Sequence, residues 1–242
     1  MAYIGFSTGA MHMSYFPIEE RAKVFRQAGA NAIELSFGTF CALKDFNLTD
    51  GLLETLSKYD LATIHAPWTQ GVRYDKNSKE VINKLKEICS EISGSGKNVY
   101  GVVVHPNTID DYSLLEKSGL PFLIENMDSK ARCGTRPNEF EKLKKDYNFG
   151  FVLDLQHAYV HDPSMQLAHE LMEVMGERIK EFHVSGQLKE DTHVLLHQAD
   201  NSNMIRGMLR NDIPIILEGK VTGNIKGAVE EELNLIKKLL NA

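Results

Sequence analysis

Cysteine is scarce: Cys41, Cys89 and Cys133 are the three in 242 residues. Three cannot all pair, so a disulfide framework is excluded and a reducing, cytoplasmic setting is expected. Long apolar runs are missing as well. None approaches the roughly 18 residues of a spanning helix, so no membrane partner is expected, and the start MAYIGFSTGAMHM lacks the basic head and apolar core of a secretion signal. A basic excess is also absent, since 27 lysines and arginines stand against 33 acids for a formal charge of −6. That argues against a basic nucleic-acid coat but says little about a local site. No Pro/Gly/Ser linker, low-complexity tract or composition break divides the chain, so one domain over residues 1–242 is expected. With 43% hydrophobic and 25% charged residues the composition is that of a globular protein, not a disordered one. A chain this long buries roughly 70–75% of its unfolded surface without needing a disulfide or metal to fold.

What is present is alternation. Short apolar runs rich in β-branched residues alternate with amphipathic stretches. YIGFS (3–7), NAIELS (31–36), LATIH (61–65), YGVVVH (100–105), PFLIE (121–125), FGFVLD (149–154), RIKEFH (178–183) and IPIILE (213–218) predict eight strands. Helices are predicted from Pro17 to Ala28, over 48–59 with Thr49 or Asp50 as cap, over about 78–93, and around 112–117, 165–175 and 229–240. In the longest, Ile82, Leu85, Ile88, Cys89 and Ile92 make one apolar stripe. Eight βα units in 242 residues match an α/β fold, a single (β/α)8 TIM barrel with short βα loops. A doubly wound sheet would not need eight units. Its Gly-rich fingerprint is also missing after the first strand, where FSTGAMHM has one glycine.

In such a barrel, chemistry sits where the strands end. Those ends read His65, His105, Glu125, Asp154, His183 and Glu218 in chain order. With a residue of slip allowed at each boundary, six Asp, Glu or His in a row is roughly a one-in-a-thousand accident. Imidazole and carboxylate suit zinc or manganese. DLQH adds His157 three residues past Asp154, and EDTH adds Asp191 and His193, which share a face if that loop is extended. Five histidines and four carboxylates are too many for one tetrahedral zinc, and shared carboxylates around two or three ions fit the count better. His12, His161, His169 and His197 read as hydrogen-bonded or surface groups. An unpaired buried carboxylate is costly, so Glu125 and Glu218, each after an apolar run, read as functional.

The ordered set resembles the endonuclease IV family, within the xylose isomerase-like TIM-barrel superfamily, from about Ile33 to Glu218. HAPW (65–68), HP (105–106), EN (125–126), DLQHAY (154–159), FHVS (182–185), DTH (191–193) and LEG (217–219) follow in family order. The resemblance implies three zinc ions. His65, His105 and Glu125 would hold the first, and Glu125 would bridge to a second held by Asp154, His183 and Glu218. His157, Asp191 and His193 would hold the third. It further implies hydrolysis of the DNA phosphodiester 5′ to an abasic site, with Glu218 and Glu125 as catalytic carboxylates, Glu218 orienting or deprotonating the attacking water. Trp68 falls where the family places an aromatic that enters damaged DNA, and a ring there could stack in the gap. Arg132 and Arg136, with Arg73 and Lys130, are the candidate phosphate contacts. The loop after strand two, SFGTFCALKDF, carries one lysine where the family has an arginine-bearing recognition loop. These short loops leave a smaller phosphodiester or a sugar as open alternatives to DNA, and a bare barrel suggests a monomer.

The rival reading is a sugar isomerase or epimerase of the same superfamily. Glu125, Asp154, His183 and Glu218 would hold one Mn2+ or Mg2+, and the two glutamates would shuttle a proton beside a carbonyl. It leaves His105, Asp191 and His193 without a role. A barrel that keeps its ligands only for binding or stability is the third possibility.

Overall fold

The computed structural model describes residues 2–189, 191–199 and 201–241; the side chains of Asp191, Asn203 and Met204 lie outside the described part. In chain order the strands are β1 (Ile4–Ser7), β2 (Ala32–Ser36), β3 (Leu61–His65), β4 (Val99–Val104), β5 (Phe122–Glu125), β6 (Gly150–Asp154), β7 (Ile179–Val184), β8 (Gly186–Leu188), β9 (Asp191–Val194) and β10 (Ile215–Leu217). Strands β8 and β9 pair as an antiparallel hairpin. The other eight are parallel and close in the order β1-β10-β7-β6-β5-β4-β3-β2, so the predicted TIM barrel is the fold. The helices are α1 (Ile18–Gln27), α2 (Phe40–Lys44), α3 (Asp50–Ser57), α4 (Lys79–Gly94), α5 (Tyr112–Ser118), α6 (Pro137–Asp146), α7 (Leu155–His161), α8 (Gln166–Met175) and α9 (Ile225–Leu240). No helix among the described residues is long and apolar enough to cross a membrane.

The period of two sorts each strand's side chains into two layers. Phe6, Ile33, Ile64, Ile124, Leu153 and Phe182 face the helices in one continuous core. Val81, Ile82, Leu85, Ile88 and Ile92 of α4 join it, each worth about 1.5–3 kcal/mol when fully buried. The inward set starts with two small apolar groups, Ala32 with Leu61 and Ile216, and Val103 with Leu123 and Val152. These form the barrel floor. Gly5 belongs with them: a Cβ there would lie 1.8 Å from the Ala32 carbonyl oxygen, so only glycine lets β1 close against β2. One inward step further along the strands, the side chains turn polar.

Three helices lie outside the sequence expectation. Helices α2 and α7 have five and seven residues, too short for a 3.6-residue period to show. The ten-residue α6 buries only Phe140 and Leu143, an apolar stripe too sparse to detect. Its start is held instead by Glu139, whose carboxylate accepts from the backbone N–H groups of Gly134, Thr135 and Arg136. The predicted cap of α3 is Thr49, whose hydroxyl accepts from the Leu52 N–H at 3.0 Å.

Candidate metal centre

The strand ends deliver the expected set to one place. His65, Glu125 and Asp154 are the last residues of β3, β5 and β6, and His183 is the penultimate residue of β7. His105 and Glu218 follow β4 and β10 directly. Each lies two residues beyond an inward-facing position (Leu123 before Glu125, Val152 before Asp154, Ile216 before Glu218), so strand alternation alone aims them into the mouth.

Glu125 is the hub. Its Oε2 lies 3.3 Å from His65 Nε2 and 3.1 Å from His105 Nε2. Its Oε1 faces the other way, 3.4 Å from His183 Nδ1 and 3.5 Å from His157 Nδ1. Two donor groups consequently share this carboxylate: His65, His105 and Glu125 on one side, and Glu125, Asp154, His183 and Glu218 on the other. Burial alone would raise the Glu125 pKa, but the imidazoles of His105 and His183 overcome it and hold the group well below the ordinary carboxylate range.

The donor chemistry fits divalent ions on two counts. First, Asp154 Oδ2 and His183 Nδ1 are buried without a hydrogen-bond partner and both belong to the second group. Asp154 divides its carboxylate: Oδ1 accepts from the His157 N–H at 2.7 Å and caps α7, which leaves Oδ2 for a ligand. Second, the outer nitrogens of His65 and His157 are tied down, as metal-binding histidines require. His65 Nδ1 donates to the Ala66 carbonyl at 3.0 Å and His157 Nδ1 to the Asn126 carbonyl at 2.9 Å. The Asn126 side chain also brackets Asp154, accepting from its backbone N–H at 2.7 Å and donating to its carbonyl at 2.9 Å. The EN and DLQH segments thus lock one another in place.

For the third set the structure brings His157 and His193 together, ring centroids 5.4 Å apart and edge to face. His193 sits on β9, so the loop after β7 is extended, although His193 itself has φ 55° and breaks the strict alternation. Its Nδ1 is 3.1 Å from Ser185 Oγ. Burial lowers the His193 pKa to about 4, so the ring is neutral and able to ligate at pH 7. Gly219 explains why the hairpin can lie so close: a Cβ there would be 2.6 Å from the Val194 carbonyl oxygen. The Asp191 side chain lies outside the described residues.

Two acids that sequence reasoning missed lie beneath the site. Glu34 on β2 and Glu181 on β7 are fully buried. His183 Nε2 is 3.0 Å from Glu181 Oε1 and 3.4 Å from Glu34 Oε2, which turns its Nδ1 toward Glu125 and Glu218. Burial pushes the Glu181 pKa up, whereas His183 and His65 outweigh burial at Glu34 and lower it. Against the pull of burial, Glu218, Glu34 and Glu125 hold the His183 pKa well above the ordinary imidazole range. The signal was available, since Glu34 interrupts AIELS and Glu181 interrupts IKEFH at inward positions, two residues from the rim.

The remaining expectations divide. Trp68 is half-buried with its ring 4.4 Å from that of His65 and 5.4 Å from that of His105, so it roofs the first donor group. It also lines a cavity of about 550 Å3 that opens onto Glu218 and His193. Arg132 and Arg136 are exposed on the loop between β5 and α6 and do not line that cavity, nor does exposed Lys130. Arg73 pairs with Asp110 and the Asn107 carbonyl. His161 and His169 are exposed, and His197 is held by the buried Glu232 at 2.7 Å. His12, read from sequence as a hydrogen-bonded or surface group, is exposed, bonds to the Gly9 carbonyl at 3.0 Å and lines the cavity. The three cysteines are free and outside the cluster.

The fold is shared with solved structures of two activities. Endonuclease IV from Thermus thermophilus matches with a TM-score of 0.67 at 18% identity, over 99% of this chain and 99% of that one. A D-tagatose 3-epimerase-like protein matches with a TM-score of 0.66 at 16% identity, over 100% of this chain and 97% of that one. A xylose isomerase domain protein from Alicyclobacillus acidocaldarius subsp. acidocaldarius matches at 0.66 and 12%, over 100% and 98%. No protein-family model matches the chain, and no curated protein matches it. At these identities the likeness defines the class of fold, a TIM barrel, and leaves the reaction to be argued from the site.

Proposed function

We propose that this barrel is a multi-zinc phosphodiester hydrolase working in the manner of endonuclease IV. The observation that carries the reading is the division of Glu125, one oxygen toward His65 and His105 and the other toward His183. A bridging carboxylate between two nitrogen-bearing donor groups is what a pair of neighbouring zinc ions needs. Zinc ions held there would make water nucleophilic at neutral pH and offset the charge of the phosphate. His65, His105 and Glu125 would hold one, Glu125, Asp154, His183 and Glu218 another, and His157 with His193 and Asp191 a third.

Among the described acids of the set, Glu218 is the one open to the cavity, its side chain 15% exposed against 1% for Glu125 and 0% for Asp154. It is the proton acceptor in this reading. The attacking water gives its proton to Glu218 and forms a new P–O bond, while the ester P–O bond breaks with its electrons on the leaving oxygen. Trp68 closes the side of the site above His65 and limits access of bulk water.

The epimerase chemistry of the other structural neighbours needs only the Glu125–Asp154–His183–Glu218 group with one Mn2+ or Mg2+. It gives the Oε2 side of Glu125 nothing to do. The test is elemental analysis of purified protein together with three assays: cleavage of a duplex oligonucleotide carrying an abasic analogue, cleavage of bis(p-nitrophenyl) phosphate, and epimerisation of free ketoses. Close to three zincs per chain with chelator-sensitive ester cleavage is the expected result. One manganese, ketose epimerisation and no ester cleavage would overturn the proposal.

A further inference from the structure

One wall of the 550 Å3 cavity has the makings of an anion site. Arg21, in the first turn of α1, lines it. Its Nε donates to the Phe16 carbonyl at 2.7 Å and its Nη1 to the Thr8 carbonyl at 3.0 Å, so the guanidinium is held in one orientation. Arg73 and Arg210 are each neutralised by an aspartate. Arg21 is more buried than either, and among the described residues no carboxylate pairs with it. A desolvated cation without a counter-charge is costly, and a bound anion offsets that cost.

Lys220, two residues past Glu218, lines the same cavity, as does His12, whose Nδ1 is 3.0 Å from the Gly9 carbonyl. Two hydroxyls converge beside them. A Cβ on Gly9 would lie 2.9 Å from Ser36 Oγ and 3.2 Å from Ser7 Oγ, so glycine keeps the space beside both hydroxyls open; Ser7 Oγ accepts from the Gly9 N–H at 3.3 Å. Trp68 supplies an apolar flank, pinned where its backbone N–H meets the Gly38 carbonyl at 3.3 Å.

We propose that this wall is a phosphate subsite that holds the terminal phosphate monoester of a small substrate, with Arg21 and Lys220 as its charges. The bond to be cleaved then lies toward Glu218 and His193, which line the same cavity. The cleavage rests on the hydrolase reading above; the phosphate subsite does not. The volume lies within the roughly 300–1,000 Å3 of small-ligand pockets, and a duplex does not enter it. The substrate class is a nucleotide-sized or sugar phosphodiester that carries a second, terminal phosphate.

The test is calorimetric titration of the metal-loaded full chain with ribose 5-phosphate and, in parallel, ribose. Ribose 5-phosphate should bind and ribose should bind at least tenfold more weakly, the scale of a charge-assisted hydrogen bond. Arg21→Ala and Lys220→Ala should each weaken ribose 5-phosphate at least tenfold while metal content stays unchanged. Because Arg21 also braces two carbonyls, Arg21→Lys and Lys220→Ala carry the test if Arg21→Ala unfolds. Wild-type affinity in the Arg21 and Lys220 variants, or binding lost only on chelation, would place the phosphate on the metals and overturn the subsite. Phosphate binding that depends on Arg21 without any ester cleavage would uphold the subsite and remove the hydrolase reading. Ester cleavage with binding indifferent to Arg21 and Lys220 would do the reverse.

Discussion

Metal uptake by this centre is expected to expel protons. Burial alone would lower the His65 pKa, but Glu34, Glu125 and Glu218 overcome it and hold the group at about 9. Burial, with the like charges of Glu125, Glu34 and Asp154, pushes Glu218 up to about 8 against the opposing pull of His183. At pH 7 about 99% of His65 and about 90% of Glu218 therefore carry a proton before metal arrives. Both must lose it to ligate, at a combined cost of about 4 kcal/mol at that pH. His183, also raised, adds to the release. From those two groups alone the affinity of the metal set should climb about 500-fold between pH 6.5 and 8, and about 20-fold beyond that. Both folded pKa values are raised, so in the metal-free protein their contribution to stability is complete below the unfolded values, roughly 6.5 for His65 and 4.5 for Glu218. It is lost as pH rises through about 9 and 8. The melting temperatures of zinc-loaded and chelated protein should accordingly diverge from pH 6.5 to 9. Calorimetric titration of zinc at pH 7, in two buffers of different ionisation enthalpy, counts the protons directly, and at least two per fully loaded chain are expected. A count near zero, or an affinity flat from pH 6.5 to 8, would refute this account of the site's charge.

Other perturbations separate the donor groups. His105→Ala removes a nitrogen from one side of Glu125 only and should lose about one zinc while the Asp154–His183–Glu218 side still loads; metal content by elemental analysis decides, and an unchanged count would mean that the first group holds no ion. His193→Ala should likewise lose about one metal and abolish ester cleavage, and full loading would remove the third group. Glu181→Leu takes away the acceptor that faces His183 Nε2 at 3.0 Å, and loss of such an outer partner lowers metal affinity about 10- to 100-fold. Competition with a chromogenic chelator measures it, and Glu181→Gln, which keeps a carbonyl oxygen in place, should recover most of the loss.

Eight strands and most of their helices were legible because each strand is a short apolar run with a clear break on either side. Helix α6 was not, since it rests on two apolar side chains and a glutamate cap made from backbone contacts. The rim residues were legible for a related reason. In a parallel barrel each strand end is also the edge of the mouth, so a list of strand ends is already a list of neighbours. Glu34 and Glu181 were passed over because each sits inside an apolar run, where a single acid reads as an interruption. Their position became meaningful only once β2 and β7 were placed on either side of His183.

Read alone, the order of residues determined the fold class and which rim imidazoles and carboxylates would meet, since both follow from short-range patterns along each strand. Only the closed barrel decided how they meet. The division of Glu125 between two nitrogen groups, the split duty of Asp154 as cap and ligand, and the acids below His183 are all pairings between distant strands. So is the placement of Arg21 in the cavity that Glu218 lines. Local periodicity specifies which way a side chain points along its own strand, but the distance between side chains on different strands is set by barrel closure.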